Sequence, residues 1–364
     1  MDLRSFLVTA RELLAVPSTA ERPERLREAL EVVLAFVGEG FTVERFESGG
    51  KPSALVYRGA VRPRFRMILN AHLDVVPAPE RQFRPRIESD RLFARGAQDM
   101  KVSGLVMAQV FREAAGRLPY PLGLQLVTDE EVGGRDGTLH QLERGVEGDF
   151  AVIGEQSGLR VVTDSKGVAA ADLRAEGRSA HGAYPWLGDN ALTKLLRTLD
   201  KVLARYPDPA EETWRTTVNV ARIETPNRAH NQIPALAEAW LDIRFPPGDA
   251  DFDGRTTEEA AAYLAAFCEP GVTVTVGRID PPHHAGHDSR EVLALQRAAR
   301  DQGFSGDLLR KHGSADGRFY YQRGIDAVIF GIGGDGQHGP DEYADLTTVE
   351  PYYRALHAFL AELE

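Results

Sequence analysis

Two kinds of apolar run alternate along this chain. Residues 66–73 (RMILNAHL), 122–128 (LGLQLVT), 150–154 (FAVIG) and 327–331 (AVIFG) are nearly continuous in apolar side chains, as strands covered on both faces require. Helical spacing separates several of them: residues 102–115 follow one loop, residues 351–364 close the chain, and Phe6, Leu7, Ala10, Leu13 and Leu14 share one face of a helix at the N-terminus. Strands of this kind alternating with helices predict an α/β domain with a mostly parallel central sheet and helices on both sides.

The middle of the chain follows another rule. Residues 168–176 (VAAADLRAE), 216–224 (TTVNVARIE), 235–245 (ALAEAWLDIRF) and 272–279 (VTVTVGRI) alternate as half-exposed strands do, with helical patterns at 190–206 and 254–267. This predicts a smaller α+β domain, an open sheet with helices on one face, inserted at about 166–282. The remaining residues, 1–165 and 283–364, form the larger discontinuous domain, and 364 residues are enough for two cores. The polar run 283–290 (HHAGHDSR) reads as the linker between them, so His283, His284 and His287 are expected in solvent and not in a metal cluster.

Charge narrows the function. With 43 Lys+Arg against 54 Asp+Glu, a formal charge of −11 opposes phosphate backbones, and no basic cluster with interleaved aromatics offsets it. Nucleic acid is not expected as a partner. The first twenty residues lack the basic start and unbroken apolar run of a signal peptide, and no segment approaches the roughly 18 uncharged apolar residues of a membrane span. The expectation is a soluble cytoplasmic protein with no membrane partner. Its one cysteine, Cys268, has no histidine nearby in sequence and reads as a buried, inert thiol in a reducing compartment.

In open α/β sheets ligands bind beyond the carboxyl ends of the strands. Five loops there carry suitable groups: His72 and Asp74 in AHLDVVP, Asp99 in ARGAQDMK, Asp129, Glu130 and Glu131 after LQLVT, Glu155 after AVIG, and His338 in GGDGQHGPDEY. Each acid alone reads as a helix cap or an exposed side chain. Together, two histidines and several carboxylates suit Zn²⁺ or a similar divalent ion, and two thiolate-free sites can be assembled from them.

The motifs HLDVVP (72–77), RGAQDMK (95–101), DEEVGG (129–134), IGEQS (153–157), RSAHGAYP (178–185), NQIP (231–234), DIR (242–244) and HGPDEY (338–343) make the chain resemble one family over nearly its whole length. That family is the zinc-dependent M20-type peptidases and deacylases, which include succinyl-diaminopimelate desuccinylase, acetylornithine deacetylase, aminoacylase and glutamate carboxypeptidase. The resemblance implies two Zn²⁺ per chain, replaceable by Co²⁺. Asp99 would bridge them, His72 and Glu155 would complete one site, and Glu131 and His338 the other. Glu130 would be the general base, and Asp74 would accept the imidazole N–H of His72 and fix its tautomer. Gln156 and Val102 stand where the family often has Pro and Gly, which leaves the subfamily open. Glu at position 155 resembles the acylases and carboxypeptidases, whereas aminopeptidase-like members tend to carry Asp.

Within the inserted domain, His181 resembles the histidine with which the family stabilises a developing oxyanion, and Arg244 one that grips a substrate carboxylate; a surface ion pair is the plain alternative for Arg244. Asn231 suits either a substrate hydrogen bond or an Asx turn before Pro234, and Asn190 reads as a helix N-cap. Gly313 and Ser314, in GSADGR, resemble a backbone segment that contacts substrate. Arg178, Arg228 and Arg318 are candidates for a second substrate carboxylate.

The expected function is hydrolysis of an amide bond in a small carboxylate-bearing substrate, an N-acylated amino acid or a short peptide. An N-acyl-amino-acid deacylase comes first, with small-peptide carboxypeptidase or dipeptidase as the alternative. Phosphodiesterase chemistry would use similar ligands, and a non-catalytic metal or amino-acid binding protein would have no need of Glu130. The exposed sheet edge of the inserted domain and the family resemblance together predict a homodimer, with His181 serving the partner's site.

Overall fold

In the computed structural model, which describes residues 1–363, the four doubly covered runs are the middle of one nine-stranded sheet. Leu122–Val127, Met67–His72, Phe150–Ile153 and Asp326–Ile329 lie side by side in that order, all parallel. Their side chains alternate between the two faces, as a period of two dictates. Met67, Leu69 and Ala71 join a core with the helices Leu3–Ala15, Pro23–Val37, Val102–Ala114, Arg290–Asp301 and Val349–Glu362, whereas Ile68, Ala151, Ile153 and Ala327 pack on the other side with Leu142, Phe319 and Tyr320. Asn70 and His72 interrupt this apolar pattern, and both are buried. Asn70 Nδ2 donates to Gln125 Oε1 at 2.9 Å and to Thr138 Oγ1 at 3.0 Å, so the polar group inside the sheet is satisfied.

The sheet extends beyond what the apolar pattern predicts. An antiparallel hairpin, Thr42–Ser48 with Lys51–Tyr57, adds one edge, and Val161–Ser165, His283–His284 and Leu308–Lys311 add the other. The linker expectation for residues 283–290 is thereby corrected. His283–His284 is a strand, His283 is fully buried and His284 and His287 are half-buried, because the chain re-enters the domain as a sheet edge and not as a solvated loop. A further small sheet joins Gly334–Asp335, Tyr343–Asp345, Arg91–Phe93 and Arg86–Glu88. Strands of two or three residues are too short to show a period in sequence.

The chain divides into two compact units: residues Met1–Thr163, His284–Arg310 and those from Ala315 onward, and residues Asp164–His283 with Lys311–Ser314. Gly313 and Ser314 thus fall in the second unit, not with the segment 283–364 in which the sequence placed them. That second unit is a four-stranded antiparallel sheet in the order Thr217–Glu224, Leu236–Phe245, Gly167–Glu176, Val272–Asp280, sharing one core with the helices Ala191–Arg205 and Thr257–Ala265. In Gly167–Glu176 burial alternates strictly from Ala169 on, leaving the other face open. Asn190 caps its helix by accepting the Thr193 amide at 3.1 Å. The second helix is shorter than its pattern because a capping box between Thr256 and Glu259 fixes where it starts. Cys268 is half-buried, and burial pushes its thiol pKa up.

Candidate metal centre

Parallel register brings the site loops to one edge. His72 pairs with Val127, and the Leu73 amide donates to the Val127 carbonyl at 2.9 Å, so the chain leaves both strands at the same level toward Asp74 and Asp129–Glu131. The Gly154 amide donates to the Asn70 carbonyl at 3.1 Å, which places Glu155 at that level too.

Asp99 lies between two histidines. His72 Nε2 is 3.0 Å from its Oδ1, and His338 Nε2 is 3.3 Å from its Oδ2 and 3.1 Å from Glu131 Oε2. Two groups, His72/Glu130/Glu155 and Asp99/Glu131/His338, each bring one ligand atom per residue within 4.8 Å of the others. Two imidazoles and four carboxylates without a thiolate form a donor set for divalent ions of the Zn²⁺ type. Glu130 stands with His72 and Glu155, near enough to be either a ligand or the group beside one.

The protonation of these groups tells the same story. Burial opposes a charge on His72, but its hydrogen bonds to Asp74 and Asp99 and their charges outweigh that and raise its pKa well above the ordinary value. His338 is pushed up to about 10 by its bonds to Asp99 and Glu131. Burial and the negative charge of Glu155 raise Glu130 well above an ordinary carboxyl. The acids draw positive charge into the centre, as a cation-binding site must.

Asp74 does more than the sequence suggests. His72 Nδ1 is closer to the Asp74 backbone carbonyl, at 3.1 Å, than to its carboxylate oxygen, at 3.5 Å. That carboxylate instead accepts the amides of Glu130 at 3.2 Å and Glu131 at 3.0 Å, and so holds the turn that presents both acids. Arg318, offered above as a substrate contact, is buried and donates to the Gly133 carbonyl at 2.7 Å, bracing the far end of the same turn.

Three further residues were missed as functional positions. Arg95 and Glu342 form a buried ion pair. Glu342 Oε1 also accepts the amides of Gln98 at 3.1 Å and Asp99 at 3.2 Å, while Arg95 donates to the His338 carbonyl at 2.9 Å. Gln337 Nε2 donates to Asp99 Oδ2 at 2.5 Å. His338 has φ of 59°, a left-handed conformation that costs a non-glycine residue about 1–2 kcal/mol and that these bonds hold in place. Arg95 and Glu342 lie inside the motifs RGAQDMK and HGPDEY, which was the available signal.

In the second unit, His181 and Asn231 are brought together: His181 bridges to Gln232, and the Gly182 amide donates to the Asn231 carbonyl at 2.7 Å. His181 Nδ1 accepts the Ala183 amide at 3.1 Å. The neutral ring therefore carries its proton on Nε2. Arg244 is half-buried, with Nε 2.9 Å from Asp242 Oδ1, so part of its guanidinium is in the ion pair weighed above. Gly313 is exposed and Ser314 half-buried.

The model for peptidase family M20/M25/M40 matches residues 68–362. A succinyl-diaminopimelate desuccinylase of Azoarcus sp. is 30% identical, the match covering 88% of this chain and 89% of that protein. Among solved structures, an M20 family metallo-carboxypeptidase from Sulfolobus solfataricus matches with a TM-score of 0.76 at 18% identity over 99% of both chains. An aminopeptidase from Bacillus cereus matches with a TM-score of 0.81 at 18% identity, covering 100% of this chain and 99% of that one. At such identities the solved structures speak for the fold.

Proposed function

Because the chain belongs to peptidase family M20/M25/M40, whose members are metal-dependent hydrolases, we propose that it is a two-zinc deacylase of N-acylated amino acids. The observation that carries this reading is Asp99, whose two oxygens face His72 and His338 separately, with Glu131 beside one and Glu130 and Glu155 beside the other. His72, Asp99 and Glu155 would hold one ion, and Asp99, Glu131 and His338 the second; Co²⁺ would serve in place of Zn²⁺. Such ions supply Lewis acidity to a carbonyl and make a water acidic near neutral pH.

The chain's own groups do the rest. Glu130 takes the water's proton and returns it to the leaving amine. Asp74 keeps Glu130 and Glu131 in register through their amides. His181 offers Nε2–H to the developing oxyanion, and the tautomer set by Ala183 favours that role. Asp242 occupies Nε of Arg244, which leaves the terminal nitrogens to grip the substrate carboxylate, with Asn231, Gly313 and Ser314 as polar contacts.

We place the enzyme in the cytoplasm as a homodimer in which each chain's His181 serves its partner. The unpaired Cys268 is consistent with a reducing compartment, and among the described residues no helix is long and apolar enough to cross a membrane. A small-peptide carboxypeptidase would use the same groups; the desuccinylase similarity over most of both chains favours deacylation. Acetyl and succinyl amino acids and dipeptides, assayed with metal-stripped enzyme and again after adding Zn²⁺ or Co²⁺, decide between them. Release of free amino acid from an acylated substrate, dependent on added metal, is expected; cleavage of dipeptides alone would reverse the choice.

A further inference from the structure

A cavity of about 370 Å³ in the first unit is lined by Arg81, Gln82, Arg84, Arg86, Phe93 and Glu342. Arg81 lies in the 3₁₀ helix Glu80–Phe83, and Arg84 follows it directly as its cap. Arg86 opens the next strand. Three arginines thus line one space in a chain whose formal charge is −11.

Among the described residues, only one of the three is paired with an acid. Arg86 Nε is 3.0 Å from Glu88 Oε1, and its guanidinium carbon lies 4.2 Å from the centre of the Phe93 ring, which leaves it fixed in place. Arg81 and Arg84 have no carboxylate partner among the described residues and both are exposed. Of the two acids lining the cavity, Glu342 is committed to Arg95 and to the Asp99 amide, and Asp341 alone is left. An anion entering the space would meet like charges that the chain itself leaves mostly unpaired.

We propose that this cavity is a binding site for a small multivalent oxyanion, a phosphate ester or polycarboxylate, held by Arg81 and Arg84 with Arg86 at its side. Guanidinium forks match both kinds of oxyanion, and the space exceeds what a single inorganic phosphate fills. The site is distinct from the metal centre but touches its supports. Gln82 Nε2 donates to the Gly339 carbonyl at 2.8 Å, next to His338, and Glu342 holds the Asp99 amide. A bound anion would lie one residue from the segments that supply both ligands.

The test uses the full-length protein stripped of metal, in which the acidic metal centre itself repels anions. Pyrophosphate and citrate are titrated by calorimetry at low ionic strength, with chloride as control, and hydrogen exchange is followed with and without the tighter probe. Saturable binding of one probe is expected, with protection of amides in residues 80–94 and 336–342. Arg81→Gln/Arg84→Gln should weaken binding at least about tenfold, the effect of losing a charge-assisted contact. Both side chains are exposed, so the variant should fold, and an unchanged thermal melt checks this. Equal binding by the variant, protection elsewhere, or no binding by either probe overturns the proposal. Since neither catalysis nor metal enters the measurement, its failure is separate from any failure of the deacylase reading.

Discussion

Arg95 and Glu342 form a buried ion pair that ties together the two segments supplying Asp99 and His338. Removing one partner leaves a buried charge without an answer, which costs about 3–5 kcal/mol, whereas removing both leaves none. Glu342→Ala should therefore lower the denaturant stability of the metal-free protein by that amount and reduce metal retention. Arg95→Met/Glu342→Met should recover part of the stability but not the metal. A single variant as stable as the parent would mean that the pair is no clamp.

Asp74 accepts both amides of the turn that carries Glu130 and Glu131. Supports of this kind are worth roughly 10–100-fold in metal affinity or activity. Asp74→Ala should lower kcat within that range with an unchanged far-UV spectrum. Turnover within twofold of the parent would leave the turn held by other contacts, chiefly Arg318 on Gly133.

Much of this was legible beforehand, for reasons that differ by element. Met67–His72 and Phe150–Ile153 announce themselves because burial on both faces forces continuous apolar residues, and part of the candidate metal centre because His72 ends the first and Glu155 follows the second. His283 misled, since two histidines beside Gly and Asp look solvated until a sheet edge covers them. Arg95 and Glu342 lie 247 residues apart, and no local pattern signals a contact at that range. Asp74 was seen as a partner of His72, but its bonds to two backbone amides depend on how a distant turn folds back.

On the proposed function, the part played by His181 depends on assembly. Removing an oxyanion donor costs about 10²-fold or more in rate, so His181→Ala should be nearly inactive. If each chain lends this histidine to its partner, co-expressed His181→Ala and Glu130→Ala chains should form heterodimers with one competent site. Purified heterodimers as inactive as the parents, or a monomer at working concentration, would assign His181 to its own chain.

Asp316 carries a pH dependence. Burial raises its carboxyl above the ordinary value of 3.8, and Thr138 Oγ1 donates to Oδ2 at 2.5 Å. The unfolded chain gives up this proton first, so it binds fewer protons than the native state and stability falls as pH rises from 3.8 through the folded pKa. Below that window both states are protonated and nothing is lost. In metal-free protein, Asp316→Asn should raise the melting temperature more at pH 8 than at pH 4. An equal shift at both would place the Asp316 proton loss at the same pH in both states.

On the proposed function, Glu130 moves the proton while its neighbours hold the metal. Glu130→Gln preserves shape and removes basicity, so kcat and bound metal measured on one preparation separate the two roles directly. Glu130→Gln should lower kcat at least about 10²-fold with about two metal equivalents still bound per chain. Lost metal would make Glu130 a ligand, consistent with its place beside His72 and Glu155, and full turnover with metal retained would contradict the assignment.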